Sequence, residues 1–281
     1  MDADPPIDPK DDPRSVDDLF NAALCEPDED LAWDAVMALH WRGTREILDR
    51  ATALATSVCP LERRVGAEVL GQLGCPARTF PDEARDILAR MLETETNADA
   101  LKAAIIAMSH QDGTEGRRAT LAFREHPDPE VRWAVVQALS TLGEPWAIAG
   151  LIELSRDSDP RVRDWSTFGL GAQTDVDTAE VRAALVARLD DEDAPTRGEA
   201  LDGLARRNDP AVPSILRERL SRADPDQFEV EAAGELGDPE FLPLLLALRS
   251  AGWPGPSWAL DGAIAACAPA PMDTPPARPR P

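Results

Sequence analysis

The 281-residue sequence contains no tyrosine, only 5% aromatic residues and no long apolar run. A helix that spans a bilayer needs roughly 20 consecutive apolar residues, so we expect no membrane-spanning segment and no membrane partner. The start of the chain, Met-Asp-Ala-Asp-Pro-Pro, lacks the basic and apolar regions of a secretory signal. These absences predict a cytoplasmic location.

Residues that usually carry chemistry are few and scattered. The four cysteines show no CxxC spacing, which favours small core residues in a reducing compartment over disulfides or a zinc site: Cys25, Cys59, Cys75 and Cys267. The three histidines lie far apart, outside any HExxH spacing: His40, His110 and His126. No glycine-rich phosphate loop is present, since Gly169 and Gly171 fall inside a helical pattern. We therefore expect no catalytic, cofactor or metal site.

Positive charge is also scarce. The chain has 52 acidic against 29 basic residues, of which only Lys10 and Lys102 are lysine, and its formal net charge is −23. Such a field repels phosphate backbones and anionic membranes and favours a basic partner. The arginine and alanine bias is typical of a GC-rich, bacterial coding sequence. A second interpretation stays open, in which the acidic surface only keeps the protein dispersed.

One stretch, residues 128–143, carries the pattern of a complete helix. Asp128 is a good N-cap and Pro129 suits the first helical position, while Gly143 suits a left-handed C-terminal residue. Between these ends the apolar residues fall on one stripe of the helix: Val131, Val135, Ala138, Leu139 and Leu142. This stretch predicts one amphipathic helix with its apolar stripe in a core.

The same pattern returns along the chain. Val131-Arg132 is repeated as Val162-Arg163 and then as Thr196-Arg197, about every 30 residues. A plain amphipathic segment precedes each such helix, so the unit has two helices. Self-similarity at this period is the signature of an α-solenoid.

The repeated residues Asp-Pro-x-Val-Arg-x-x-Ala-x-x-Ala-Leu-x-x-Leu-Gly resemble the HEAT-repeat family, specifically the short bacterial type first noted in phycobilisome lyases. The resemblance covers residues 16–268 and weakens at both ends. It implies an all-α, right-handed α-solenoid of about eight two-helix repeats, with the second helices lining a concave face. The acidic residues 1–15 and the proline-rich residues 269–281 are expected to be disordered tails.

A helical wheel identifies which side chains would line that face. Counting from the valine of each second helix at about 100° per residue, positions 2 and 6 lie opposite the buried stripe. These positions are the predicted partner-binding residues: Trp33, Met37, Arg64, Glu68, Trp133, Gln137, Asp164 and Phe168. Tryptophan and arginine are common anchors of interfaces. The alternative is that these are ordinary exposed side chains, or that a shifted register buries Trp33.

The repeated arginines lie beside the buried stripe at position 1. The family resemblance implies that they form a structural ladder with the aspartates that begin neighbouring helices. The ladder residues are Asp128, Arg132, Asp159, Arg163, Asp193 and Arg197. A row of phosphate-binding arginines is the alternative, and the net charge argues against it.

These patterns lead to one functional prediction and two alternatives. We expect a monomeric, non-enzymatic scaffold that binds a protein, favoured by charge to be basic, through its concave face, and no nucleic acid. The first alternative is a bilin lyase or a lyase-associated chaperone, which the repeat type suggests without a matching catalytic constellation. The second is an acidic inhibitor or immunity-type protein that blocks a basic toxin or nucleic-acid enzyme.

Overall fold

The structure is a computed structural model that describes residues 8–222 and 224–269. Within these ranges the chain forms sixteen α-helices and three short 3₁₀ helices, and no strand. The 3₁₀ helices are Pro9–Asp11, Thr120–Phe123 and Pro239–Phe241. The α-helices are α1 (Val16–Cys25), α2 (Glu29–Arg42), α3 (Arg45–Ala55), α4 (Pro60–Gly71), α5 (Pro81–Thr94), α6 (Ala98–Ser109), α7 (Glu115–Ala119), α8 (Pro129–Leu139), α9 (Pro145–Leu154), α10 (Pro160–Gly171), α11 (Ala179–Val186), α12 (Ala194–Arg206), α13 (Val212–Leu220), α14 (Gln227–Leu236), α15 (Leu242–Ala251) and α16 (Ser257–Cys267).

Local sequence signals begin these helices. Asp128 caps α8 by accepting a hydrogen bond from the N–H of Glu130 at 2.9 Å, and Pro129 is the first helical residue. Ser15 and Asp18 form a capping box at the start of α1. The predicted N-cap Asp128 is therefore confirmed.

The helices pack as consecutive pairs. α1 packs on α2, α3 on α4 and α15 on α16, and the even-numbered helices also stack on one another, as α4 does on α6. The described ranges hold sixteen α-helices, the number that the predicted eight or so two-helix repeats would contain. The predicted stripe of α8 lies in the core, where Val131, Val135 and Leu139 are each fully buried. The fold is all-α and solenoid-like, as the sequence predicts.

The chain divides into two compact units, one ending at Gly169 and the other beginning at Leu170. The division falls near the C-terminal end of α10. The first unit contains α1–α9 and most of α10, and the second contains α11–α16. The sequence predicts one solenoid over residues 16–268 and shows no sign of this division.

Two further sequence predictions need correction. Residues 8–15 were expected to be a disordered tail, but they include a 3₁₀ helix, and the Arg42 guanidinium donates to the carbonyl oxygens of Asp12 and Arg14. Gly143 was expected to end α8, but the helix ends at Leu139, four residues earlier. Residues 1–7 and 270–281, the rest of the predicted tails, lie outside the described residues.

Close packing of α3 against α4 leads to a testable expectation at Gly66. A Cβ atom there would lie 2.6 Å from the backbone nitrogen of Ala55 and 2.8 Å from the carbonyl oxygen of Ala51. Because these are backbone atoms, the helices must move apart, and Gly66→Ala should lower the free energy of unfolding by about 1–3 kcal/mol. Chemical denaturation of the purified variant measures the change.

Gly262 in α16 is the matched control for this substitution. It is an exposed helical glycine with no atom within 4 Å of an added Cβ. Gly262→Ala should stabilise the chain by about 0.4–1 kcal/mol, since alanine restricts the unfolded state. Equal effects at the two glycines would contradict the packing of α3 on α4.

Candidate functional site

The first part of the candidate site lies on α2 and α4. Trp33 is 45% exposed, and its ring meets the buried ring of His40 edge-on, with the centroids 6.1 Å apart. The Nε2–H of His40 donates to the carbonyl oxygen of Glu68 at 2.8 Å, which ties α2 to α4. On α4, the side chains of Arg64 and Glu68 lie one turn apart with an N–O distance of 3.8 Å. The exposed Trp33 ring is thus linked through His40 to the residue Glu68, whose carboxylate has only a long ion pair with Arg64.

Charged side chains continue the surface across α6, α8 and α10. Lys102 Nζ lies 3.4 Å from a carboxylate oxygen of Glu130, and the guanidinium of Arg161 pairs with the other oxygen of Glu130. The same guanidinium lies 4.1 Å from the centroid of the Trp133 ring, in cation–π geometry. Glu130 thus joins the cations of two neighbouring helices.

Three aromatic rings extend this surface along α8 and α10. The Trp133 and Trp165 rings meet edge-to-face at 6.2 Å, and the Trp165 and Phe168 rings do so at 5.8 Å. Trp165 is 36% exposed, while Trp133 and Phe168 are half-buried. Edge-to-face contacts hold such rings in fixed orientations, so this cluster is a preformed apolar patch.

These contacts lie along the even-numbered helices of the first unit, and we call their residues the second-helix row. It connects a tryptophan at one end to an aromatic cluster at the other through alternating charges. Its members are Trp33, His40, Arg64, Glu68, Lys102, Glu130, Trp133, Arg161, Trp165 and Phe168.

The structure places the predicted partner-binding residues as follows. Trp33 is exposed, and the other seven are half-buried: Met37, Arg64, Glu68, Trp133, Gln137, Asp164 and Phe168. The Nε1–H of Trp133 and the Nε2–H group of Gln137 are buried and have no acceptor within the ranges that the structure describes. All eight residues lie in the first unit. Their role in binding stays a prediction.

The helical wheel missed five members of the row: His40, Lys102, Glu130, Arg161 and Trp165. Lys102 lies on the helix that fits the repeat loosely, and its position becomes clear only when the helix is counted from its N-cap Asn97. Arg161 lies one residue before the reference valine, which at about 100° per residue is the same face as positions 2 and 6. Trp165 lies at position 3, at the edge of that face. Counting from the N-cap would have found Lys102, and including the residue before the reference valine would have found Arg161.

Two titratable groups on α2 and α4 are shifted in opposite directions. Burial lowers the pKa of His40 to about 4, and the Arg78 and His110 side chains also lower it, while the hydrogen bond to Glu68 raises it. Burial raises the pKa of the Glu68 carboxyl, against the attraction of Arg64 and Lys102. Burial also lowers the pKa of His110. At neutral pH His40 is therefore an uncharged hydrogen-bond donor.

The repeated arginines have a regular structural role in the first unit. The Arg132 guanidinium donates to both oxygens of Asp157 at 2.7 Å and to the carbonyl oxygens of His126 and Pro127 at 2.8 and 3.1 Å. Arg63 does the same with Glu95 and with the carbonyl oxygens of Ser57 and Val58. Each arginine thus joins the loop before its own helix to the loop before the next second helix.

The predicted ladder partners need correction. Asp128, Asp159 and Asp193 cap their helices through backbone N–H groups. Arg132 instead pairs with Asp157, two residues before the N-cap of α10, and Asp157 also accepts from the N–H of Asp159 at 2.8 Å.

The next two arginines keep the loop contacts. Arg163 donates to the carbonyl oxygens of Asp157 and Ser158 at 3.1 and 3.2 Å. In the second unit, Arg197 donates to the carbonyl oxygens of Asp191 and Glu192 at 2.7 and 3.1 Å. The repeated arginine therefore holds the loop before its helix in both units.

Neither a cluster of metal ligands nor a membrane-spanning helix is found among the described residues. In residues 8–222 and 224–269 no three His, Cys, Asp or Glu side chains come together as a metal site would require. None of the helices in these ranges combines the length and the apolar character that crossing a bilayer demands. The aromatic cluster and the alternating charges are suited to recognising another macromolecule.

Known proteins share this architecture. The profile of HEAT repeats matches residues 110–171 and 148–229. Protein YibA of Escherichia coli strain K12 is 28% identical over 216 residues, covering 74% of this chain and 75% of its own, and YibA of E. coli O157:H7 matches equally. The X-ray structure of E. coli YibA superposes with a TM-score of 0.73 at 25% identity, covering 90% of this chain and 92% of YibA. Residues 110–229 therefore contain HEAT repeats.

Proposed function

We propose that the first unit binds a protein partner through the second-helix row. The observation that carries the proposal is the cluster of Trp133, Trp165 and Phe168 on a surface that is otherwise charged. Large aromatic side chains at the centre of a patch supply most of the energy of typical interfaces. HEAT-type repeats place such side chains on successive helices, which suits an extended partner.

Unsatisfied donors support the same proposal. The buried N–H groups of Trp133 and Gln137 lack acceptors within the described ranges. Buried donors in proteins are almost always hydrogen-bonded, so their unpaired state is unfavourable. Carbonyl oxygens of a bound partner would give both groups an acceptor, and complex formation would gain these hydrogen bonds.

The partner is proposed to be basic, because the chain carries a net charge of −23. Opposite charges accelerate encounter and make association depend on salt. The protein would then act as a non-enzymatic scaffold that holds a basic segment along its even-numbered helices. Capture should weaken steeply as the salt concentration rises.

The Trp165→Ala variant tests the proposal. Truncating an interface tryptophan at a hot spot weakens binding roughly 30-fold or more. The two ring contacts of Trp165 are also lost, at about 0.5–1.5 kcal/mol of folding free energy each, so stability is measured alongside affinity. The tagged chain is used to purify its partner from the native cell, and the affinity for that partner is then measured for each variant. Trp133→Ala should weaken binding as well, with a larger loss of stability because Trp133 is half-buried.

Trp41 provides a matched control on α2. It is also exposed, at 40%, but takes no part in the ring contacts of the described residues. Trp41→Ala should keep the affinity of the unchanged protein. Equal affinities for Trp41→Ala and Trp165→Ala would show that the row is not the binding surface.

A second candidate function is an acidic inhibitor or immunity-type protein, and the same net charge favours it. An acidic surface can occupy the basic groove of an enzyme that acts on nucleic acid. If the captured partner is such an enzyme, equimolar addition of the chain should abolish its activity, and Trp165→Ala should restore it. A partner whose activity is unchanged by saturating amounts of the chain would favour the scaffold.

A further inference from the structure

A cavity opens on the second-helix row between α2, α4 and α6. Its volume is about 220 Å³. One wall is the exposed ring of Trp33, and the rest combines four charged side chains with apolar residues of α6. The residues that matter for its chemistry are Trp33, His40, Arg64, Glu68, Asp99 and Lys102.

The volume limits what can occupy this cavity. Pockets for drug-sized ligands and cofactors measure roughly 300–1,000 Å³. A cavity of about 220 Å³ is smaller than this range and matches a single long side chain. An occupant delivered by a bound protein is therefore favoured over a free cofactor.

The two carboxylates of the lining, Glu68 and Asp99, are open to an added cation because neither cation of the lining lies within hydrogen-bond distance of them. Lys102 is directed to Glu130, which is not part of the lining. Arg64 approaches Glu68 only to 3.8 Å, beyond hydrogen-bond distance, so the Glu68 carboxylate can accept a closer partner. Asp99 is exposed and makes no ion pair with any residue of the described ranges.

The aromatic wall is held in place. The His40 ring contacts Trp33 edge-on, and His40 is itself fixed by its hydrogen bond to the carbonyl oxygen of Glu68. The face of a tryptophan ring attracts cations, and guanidinium groups stack on it with both planes parallel. The ring and the Glu68 carboxylate line the same cavity.

We propose that this cavity binds one arginine side chain of the protein partner, with its guanidinium stacked on Trp33 and hydrogen-bonded to Glu68. The inference rests on the proposed function, since the arginine belongs to the protein bound along the row. Arginine fits better than lysine because its planar group can stack and can donate two parallel hydrogen bonds to one carboxylate. Arg64 competes with the incoming group for Glu68.

Short peptides test the cavity directly. A neutral Gly-Ser peptide carrying one arginine is titrated into the full chain, prepared with ¹⁵N-labelled tryptophan. The indole N–H signals of the seven tryptophans are followed by NMR, and Trp33 is assigned with Trp33→Phe. The arginine peptide should shift the Trp33 signal. The same peptide with citrulline, which keeps the shape and removes the charge, should not, and the lysine peptide should bind several-fold more weakly.

Three substitutions separate this proposal from a structural role. Glu68→Gln should weaken binding of the arginine peptide roughly tenfold or more, and the exposed Asp99→Asn should weaken it less. Arg64→Gln should tighten binding, because it removes the competing guanidinium. An unchanged affinity in Glu68→Gln and Asp99→Asn, or weaker binding in Arg64→Gln, would overturn the proposal.

The peptide experiment stands apart from the capture of the partner. A Trp33 signal that does not move, or that moves equally with citrulline, would remove the arginine pocket. Partner binding that still depends on Trp165 would then leave the proposed function in place. If Trp165→Ala leaves partner binding unchanged while the arginine peptide still shifts the Trp33 signal, the proposed function is removed and the arginine pocket stays.

Discussion

The Arg132→Met variant should unfold with a free energy about 3–5 kcal/mol lower than that of the unchanged protein. Its guanidinium pairs with Asp157, and the two side chains are only 10% and 8% exposed. Methionine fills the space but leaves the Asp157 carboxylate buried without its cation. Two carbonyl oxygens of the loop before α8 also lose their donor. Chemical denaturation followed by circular dichroism gives the difference.

Two comparisons isolate the buried pair. Replacing Asp157 by asparagine in the Arg132→Met background should recover part of the loss, because no buried charge remains. Arg217 pairs with Glu240 on the surface, so Arg217→Met should change stability little. A loss below about 1 kcal/mol in Arg132→Met would mean that the arginine ladder does not hold the repeats together.

Acidification should destabilise the first unit through His40. Its pKa is about 4 in the folded chain, against an ordinary value of 6.5. The unfolded chain therefore binds a proton between these values when the folded chain does not. The stability contributed by neutral His40 is complete above pH 6.5 and is lost as the pH falls toward 4, by about 3 kcal/mol in total.

Glu68 opposes this change. Because its pKa is raised by burial, the folded chain takes up a proton at Glu68 before the unfolded chain does. This uptake stabilises the fold as the pH falls toward the ordinary glutamate value. Glu68→Gln removes the compensation, so its stability should decline more steeply with acid. His110, with a lowered pKa, adds to the loss from His40.

The His40→Gln variant tests the assignment. Its amide can still donate to the carbonyl oxygen of Glu68, but it does not titrate. Denaturation midpoints measured from pH 7.5 to 4 should fall less in this variant than in the unchanged protein. Stability at pH 7.5 shows separately what the substitution does to packing. Parallel declines in both proteins would show that His40 is not the group responsible.

Local signals in the sequence predicted much of the fold. The cap Asp128 and the stripe from Val131 to Leu142 depend only on helical geometry and neighbouring residues, and both are found in the structure. The failures depend on distant contacts. Residues 8–15 are ordered because Arg42, far along the chain, binds their carbonyl oxygens. A composition-based prediction of disorder contains no information about such a contact.

The candidate site was predictable in part. Trp33 and Trp133 were found because a wheel reports which residues share a face. The cavity could not be predicted from the sequence, because it arises from the packing of three helices and its charges belong to different repeats. The predicted acidic partner of Arg132, Asp159, was wrong by two residues because the actual partner, Asp157, lies in a loop. Loop residues follow no helical period that could locate their side chains.

Asp157 also has a consequence for how the first unit opens. Its side chain accepts from Arg132 of one repeat and from the N–H of Asp159, and its carbonyl oxygen accepts from Arg163 of the following helix. Unfolding α8 therefore removes hydrogen bonds that position the start of α10. In a repeat protein such nearest-neighbour coupling makes adjacent repeats open as one cooperative block. The amides of α8 and the first turns of α10 should then exchange hydrogen with the same free energy of opening.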